Sequence, residues 1–325
     1  MTERVGEWFG EGYLSAEDNQ VVTERWQRAV ADQERIDGIL KGIQEETAQS
    51  HGGKLEGLEN SLKGVDSLRR KAADGMREGD SAAKAVRAVN DIHRYTLTFE
   101  PDKYTEGVEQ TYSQLRAQGY EPIPGKEKNT WDDPVYKGIN TNWRHPEREE
   151  KFELQFHTPD SFTAKMENHE LYEISRNGTF DRISKEEAPN EEAAEGLSEH
   201  YLNAANLLQN KRYENVETPS GQERIGDRTI RDKLEPDTPE WAIERVAKEE
   251  ATRREENLAK ARAEAARKQA EQPELGLDGP AQAESQGLRA HLATQATVQA
   301  ARKKPEAPSI DPMPAQSRSR GPSLK

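Results

Sequence analysis

Two carboxylates and a set of cations stand at intervals that suit phosphate chemistry. In FELQFHT, residues 152–158, strand alternation puts Phe152, Leu154 and Phe156 on one face and Glu153, Gln155 and His157 on the other. The apolar face wants a core, and the polar face is either a solvated outer surface or the floor of a site. In NDIHRY, Asp91 precedes two basic residues, His93 and Arg94, in a stretch rich in strand formers. Lys63, Ser67 and Lys71 recur every fourth residue in a helix-forming stretch with Arg70 close by, so two ammonium groups and a hydroxyl share a face that suits a polyphosphate. In VYKGIN, Tyr136 offers a flat ring, Lys137 a charge, and Gly138 room for close backbone approach. Each group also has a plainer role: Lys63 and Lys71 as a solvated helix face, Tyr136 as strand packing, and His157 and His169 as satisfied hydrogen-bonding residues rather than a metal pair.

The elements that must position these groups follow from periodicity and punctuation. Residues 15–50 read as a helix, with Ser15 as N-cap, Glu17 and Asp18 in its first turn, and Gly52-Gly53 after its end. A second helix is expected over 54–76, then turns near Gly75 and Gly79, then a strand within AVRAVNDIHRYTLTFE that ends at Pro101. A helix over 104–118 closes at Gly119. A strand around VYKGINTNW, the turn HPEREE, the FELQFHT strand and a helix over 161–176 come next. The order β-α-β-β-α behind leading helices predicts an α/β or α+β fold, a mixed sheet flanked by helices. Beyond it, 191–210 reads as a helix, and the stretch from Asn210 to Thr229 as loop. Residues 239–272 form a charged helix with few apolar positions after Val246, expected to stand exposed by itself, and the chain from Pro273 has the composition of a disordered tail. The expected division is 1–50 as an N-terminal helical segment, 51–185 as the chemical domain, 186–235 as a helix and loop extension, 236–272 as the charged helix and 273–325 as the tail. Every candidate group precedes Arg176, so residues 215–325 are expected to be dispensable for chemistry.

Composition narrows the chemistry. Of 325 residues, 33% are charged and 32% hydrophobic, too polar for one compact core throughout. The net charge of −14 argues against broad nucleic-acid binding and leaves room only for a local basic patch. Without cysteine there is no disulfide framework, thiolate metal site or cysteine nucleophile. The acidic N-terminus has no signal-peptide pattern and no window approaches a membrane span, so the expectation is a soluble, cytoplasmic protein.

Taken in chain order, Lys63-xxx-Ser67-xxx-Lys71, the Asp91 strand, Tyr136-Lys-Gly-Ile-Asn140, Glu153-Leu-Gln155-Phe-His157-Thr158 and Glu167-Asn-His169-Glu-Leu-Tyr172 resemble the synthetase domain of RelA/SpoT-type alarmone synthetases, which include toxic small synthetases. The family's corresponding signatures are an RxKxxxSxxxK helix, a DxxGxR strand, a GYRSLH segment, an ExQxRT strand and a helix containing Glu-His. The resemblance spans about residues 54–172 and implies a nucleotidyltransferase-like fold that moves the β,γ-pyrophosphate of ATP to the 3′-hydroxyl of an acceptor nucleotide, GTP or GDP, or ATP or ADP. It implies Asp91 and Glu153 as catalytic residues and Mg2+ ligands, with Glu153 also drawing the proton from the attacking hydroxyl. Lys63, Ser67, Lys71 and Arg94 would hold the donor phosphates. Tyr136, Lys137, Asn140, Gln155 and His157 would form the acceptor side, with the Tyr136 ring stacked on the base.

The departures are specific. Ser61 and Thr96 stand where the family has arginines, Asn140 where it has the histidine of the acceptor segment, and His157 where ExQxRT has arginine. No His-Asp dipeptide occurs, so the hydrolase of bifunctional members is not expected. Three functions fit: synthesis of an alarmone of the (p)ppGpp or (p)ppApp type, as housekeeping enzyme or toxin; pyrophosphorylation of the tRNA 3′ end by the same chemistry; or a catalytically degenerate nucleotide-binding module. A toxin would have an antitoxin or other protein partner, and no membrane partner is expected.

Overall fold

The computed structural model describes residues 6–148 and 150–271. The chain divides into two units, 1–260 and 261–325, and the described part of the second is helical to Glu271. The tail expected from Pro273 lies outside the described residues.

In chain order the elements are β1 (Trp8–Gly10), β2 (Gly12–Leu14), α1 (Ala16–His51), β3 (Lys54–Glu56), α2 (Val65–Arg77), α3 (Ala82–Ala88), β4 (His93–Thr98), α4 (Tyr104–Ala117), β5 (Glu121–Pro122), β6 (Lys128–Asn129), β7 (Ile139–His145), β8 (Glu150–His157), α5 (Pro159–Arg176), α6 (Thr179–Glu187), α7 (Glu191–Tyr213), β9 (Asp227–Arg228) and α8 (Glu240–Glu271). The main sheet has the order β3-β4-β8-β7-β6-β9, with β5 also on β7. It is mixed: β4 runs parallel to β8 and β6 to β9, while the other pairs are antiparallel. The expected class, a mixed sheet flanked by helices, is what the chain adopts.

Alternation explains the two faces of this sheet. Tyr95, Leu97, Ile139, Trp143, Phe152, Leu154 and Phe156 are buried on one side beneath Ile36, Leu40 and Ile43 of α1 and Tyr104, Val108, Tyr112 and Leu115 of α4. Ser15 caps α1, its hydroxyl accepting from the Asp18 N–H at 3.1 Å, and Gly52 ends the helix at φ 71°. Because α1 supplies part of the sheet's core, it packs as an integral layer of the unit 1–260 rather than as a separate N-terminal segment. The opposite face carries the polar residues of β4, β7 and β8. Two further cores flank it, one among α1, α2 and α3 and one among α5, α6, α7 and the start of α8.

Four local expectations are corrected. The stretch 54–76 is not one helix: Leu55 pairs with Leu97 in β3, Gly57 takes φ 61°, and α2 begins only after Gly64. Lys63 therefore lies off the helix that carries Ser67 and Lys71. The AVRAV portion of the expected strand is instead the end of α3, an alanine-rich turn of helix whose N-cap Ser81 accepts from the Lys84 N–H. Tyr136 and Lys137 sit in the turn before β7, not in the strand. The segment after Asn210 is part of the folded unit: Gln222 and Ile225 are buried and Asp227–Arg228 adds a strand.

The start of α8 is likewise not a solitary helix. Ala242 and Val246 are buried against α5, α6 and α7, and Glu250 receives both Arg212 Nη2 contacts, at 2.9 and 2.8 Å. Charge density hid this packing, because three small or apolar contacts in the first turns, Ala242, Ile243 and Val246, suffice to bury one stripe while the rest stays wet. Among the described residues no helix is long and apolar enough to cross a membrane.

Candidate active site

The strand register aligns the polar groups in rows across the sheet. One row runs Asn142, Glu153, Arg94, and the next runs Lys128, Asn140, Gln155, Thr96. Residues paired in register point to the same face, so four strands, β6, β7, β8 and β4, present one polar floor. Above it lies a cleft of about 530 Å³ whose lining includes Lys71, Asp91, Asn140, Asn142, Glu153 and Arg231.

Asp91 is the electrostatic centre. Lys71 Nζ donates to both its oxygens at 2.7 and 2.8 Å, Arg94 Nη2 to Oδ2 at 2.8 Å, and Lys63 Nζ stands 3.3 Å from Oδ2. Lys63 reaches it because its backbone N–H donates to the Ile92 carbonyl at 2.8 Å, which ties the pre-helix loop to the start of β4. Burial pushes the Asp91 carboxyl up, but Lys63, Lys71 and Arg94 outweigh it and hold the group below the usual carboxylate range. Burial lowers Lys63 in turn. Arg94 joins the two carboxylates, its Nε donating to Glu153 Oε2 at 2.9 Å. Gln155 Nε2 donates to the other Glu153 oxygen at 2.9 Å. Burial lowers the Arg94 pKa, but Glu153 and Asp91 outweigh it and raise the group overall.

The acceptor-side candidates form a second network. The Tyr136 hydroxyl donates to Asn140 Oδ1 at 2.9 Å and lies 3.0 Å from His157 Nε2, while the other ring nitrogen of His157 is 3.0 Å from the Lys137 carbonyl and 3.1 Å from Ser161 Oγ. Gly138 lets this happen, since a Cβ there would stand 2.7 Å from the His157 ring. Burial raises the Tyr136 hydroxyl and lowers His157 well below its ordinary value, so His157 is a neutral member of a hydrogen-bonded network. Of the remaining sequence candidates, Lys137 turns away, donating to the Trp131 carbonyl at 2.9 Å, and Ser67 lies half-buried on α2, one turn before Lys71, without lining the cleft. The Glu167–Tyr172 motif faces the helices: the Glu167 carbonyl accepts from Arg212 and Arg254, and the His169 side chain is 61% exposed. His157 and His169 thus form no metal pair.

Sequence reasoning missed Asn142, Lys165 and Arg231. Asn142 had a signal, since it is two residues beyond Asn140 on the same face of a strand. Lys165 Nζ donates to Gln155 Oε1 at 2.5 Å from α5, and burial, with Arg94 nearby, lowers it to about 8. A lysine lowered on folding opposes folding while it is charged, so this contribution makes stability rise with pH between about 8 and its ordinary 10.5. Lys165→Met is expected to raise stability at pH 7 by roughly 1–3 kcal/mol and to flatten that rise, which thermal melts across pH would measure.

Asp91 and Glu153 offer the hard oxygens that Mg2+ takes, and the Asn142 amide lies in register beside Glu153. Mg2+ is held by one or two carboxylates with substrate phosphates and water, so this donor set fits it without a third acidic ligand. Among the described residues no group of three or more His, Cys, Asp and Glu side chains gathers as a self-sufficient metal cage.

No family model matches the chain, and no curated protein matches it by sequence. Among solved structures it is similar to the crystal structure of small alarmone synthetase 1 from Bacillus subtilis, at 15% identity over 58% of this chain and 91% of that one, with a TM-score of 0.34.

Proposed function

We propose that the chain transfers pyrophosphate from ATP to the 3′-hydroxyl of an acceptor nucleotide. The observation that carries this reading is the convergence of Lys63, Lys71, Asp91, Arg94 and Glu153 into one charge cluster, of which Lys71, Asp91 and Glu153 line one cleft. The five residues come from three stretches of chain, and a purely structural salt-bridge set has no need to face a cavity of nucleotide size.

Three cations held on two carboxylates suit a polyphosphate, because they are positioned before it arrives and can turn from Asp91 and Glu153 to phosphate oxygens. Mg2+ on those carboxylates would neutralise the charge that develops on the phosphates in transit. In the reaction the acceptor 3′-oxygen forms a bond to the β-phosphorus of ATP, the bond from that phosphorus to the α,β-bridging oxygen breaks, and AMP leaves. Glu153 takes the hydroxyl proton. Lys63, Lys71 and Arg94 hold the donor phosphates, and Tyr136 with Asn140 and Gln155 bounds the acceptor side.

Incubation with Mg2+ and ATP labelled in its β-phosphate, against GTP, GDP, ATP, ADP and bulk tRNA, tests the reading. Label on the 3′ position of a mononucleotide, with AMP released in equal amount, is the expected result. Label on tRNA alone would transfer the same chemistry to a macromolecular acceptor, and binding of ATP without transfer to any acceptor would reduce the domain to a nucleotide-binding module.

A further inference from the structure

The stretch from Gly221 to Asp232 belongs to none of the motifs above, yet it contributes one residue, Arg231, to the lining of the cleft. Its backbone is tied to the sheet edge: the Asp227 N–H donates to the Glu127 carbonyl and the Thr229 N–H to the Asn129 carbonyl, both at 2.7 Å. Asn129 Nδ2 donates to the carbonyls of Gln222 and Ile225 at 2.8 and 2.9 Å. Gly226, at φ 67°, passes so near Glu127 that a Cβ would stand 2.8 Å from its carbonyl oxygen. This strap delivers Arg231 to the cleft lining, with its guanidinium carbon 5.9 Å from the centroid of the Tyr136 ring.

One buried carboxylate fixes the two side chains relative to each other. Asp133 Oδ1 accepts from the Val135 and Tyr136 N–H groups at 2.9 and 3.2 Å, and Oδ2 accepts from the Arg231 and Asp232 N–H groups at 2.7 and 3.3 Å. The backbones of Tyr136 and Arg231 thus hang from opposite oxygens of one group, Arg231 lying 98 residues beyond Asp133 in sequence. Whereas Arg94 is held by two carboxylates, the Arg231 guanidinium makes no ion pair among the described residues.

We propose that Arg231 is an acceptor-base contact, its guanidinium plane and the Tyr136 ring forming two jaws between which a nucleobase is held. This rests on the reading of the cleft as a nucleotide site. Aromatic rings and guanidinium planes both stack on bases, with little dependence on which base is present. The cation–π contact between the jaws is what the entering base exchanges for two stacking contacts. The strap therefore makes the cleft select a ligand bearing a base over a bare polyphosphate.

The test is equilibrium binding of guanosine, GDP, adenosine and ADP to the full chain, with the donor side filled by an α,β-methylene analogue of ATP. Arg231→Ala is expected to weaken nucleoside and nucleotide alike by roughly ten- to a hundredfold, at a melting temperature near that of the parent chain. Arg231→Lys, which keeps the charge and loses the plane, recovers only a small part. Loss confined to GDP and ADP, or full recovery by lysine, would make Arg231 a phosphate contact and overturn the proposal, as would unchanged binding. Because binding is read without turnover, the two readings fail separately. Loss of nucleoside binding in Arg231→Ala with no transfer to any acceptor sinks the transferase reading alone. Transfer with unchanged nucleoside affinity in the variant sinks the base contact alone.

Discussion

Glu153→Gln is expected to lower transfer by about a hundred- to ten-thousandfold, the range a positioned general base contributes, while the protein stays folded. The side chain keeps its volume and its place on β8 between Asn142 and Arg94. What it loses is the negative charge that accepts from Arg94 Nε and Gln155 Nε2. Arg94 remains held by Asp91, so the floor of the cleft is not left with an unpaired guanidinium. Turnover and thermal melting on the same preparation decide the matter. A folded variant with the parent's rate would remove Glu153 from the chemistry. A large drop in melting temperature would mean that its charge serves the fold first.

A chain cut after Tyr213 is expected to fail to fold, whereas a chain cut after Lys260 is expected to melt as the full protein does. The first cut removes Ile225 from the sheet's core, the buried Gln222 from Asn129, the strand β9, and the Ala242 and Val246 contacts with α5, α6 and α7. It also strips Glu250 from Arg212, whose side chain is only 20% exposed. Losing one partner of a buried ion pair costs about 3–5 kcal/mol by itself, set against a total stability of about 5–15 kcal/mol for a typical domain. Circular dichroism and thermal melts on the two truncations give the comparison. A cooperative transition from the shorter chain would show the strap and α8 to be appendages.

The part of the site that sequence reveals is the part written in local periods. FELQFHT alternates without interruption, so its faces could be read directly, and β8 buries Phe152, Leu154 and Phe156 as alternation requires. Asp91 and Glu153 stood out as carboxylates placed at or within strands. Their connection through Arg94 depends on the parallel register of β4 and β8, which no local pattern encodes. Lys63 reached its partner by a different route from the one its spacing suggested, held at the edge of β4 by a backbone hydrogen bond in the loop that precedes α2. Arg231 gave no signal at all. It sits in a stretch with neither strand nor helix period, and its position is set by hydrogen bonds to a residue that is itself in a turn.

The attachment of Arg231 to Asp133 bears on the order in which the protein is made. Domains form during synthesis from the N-terminal end as the chain emerges, at about 5–20 residues per second. When His157 has left the ribosome, Asp91, Arg94 and Glu153 all exist, but β9 and the second pair of donors to Asp133 do not. On a growing chain the strap that carries Arg231 is absent until residue 232 is out, so the cleft is completed only after the last of its lining residues has been made. A chain terminated between His157 and the strap contains Asp91, Arg94 and Glu153 but lacks the later contacts on which the unit 1–260 is expected to depend, so a partial copy presents no assembled cleft.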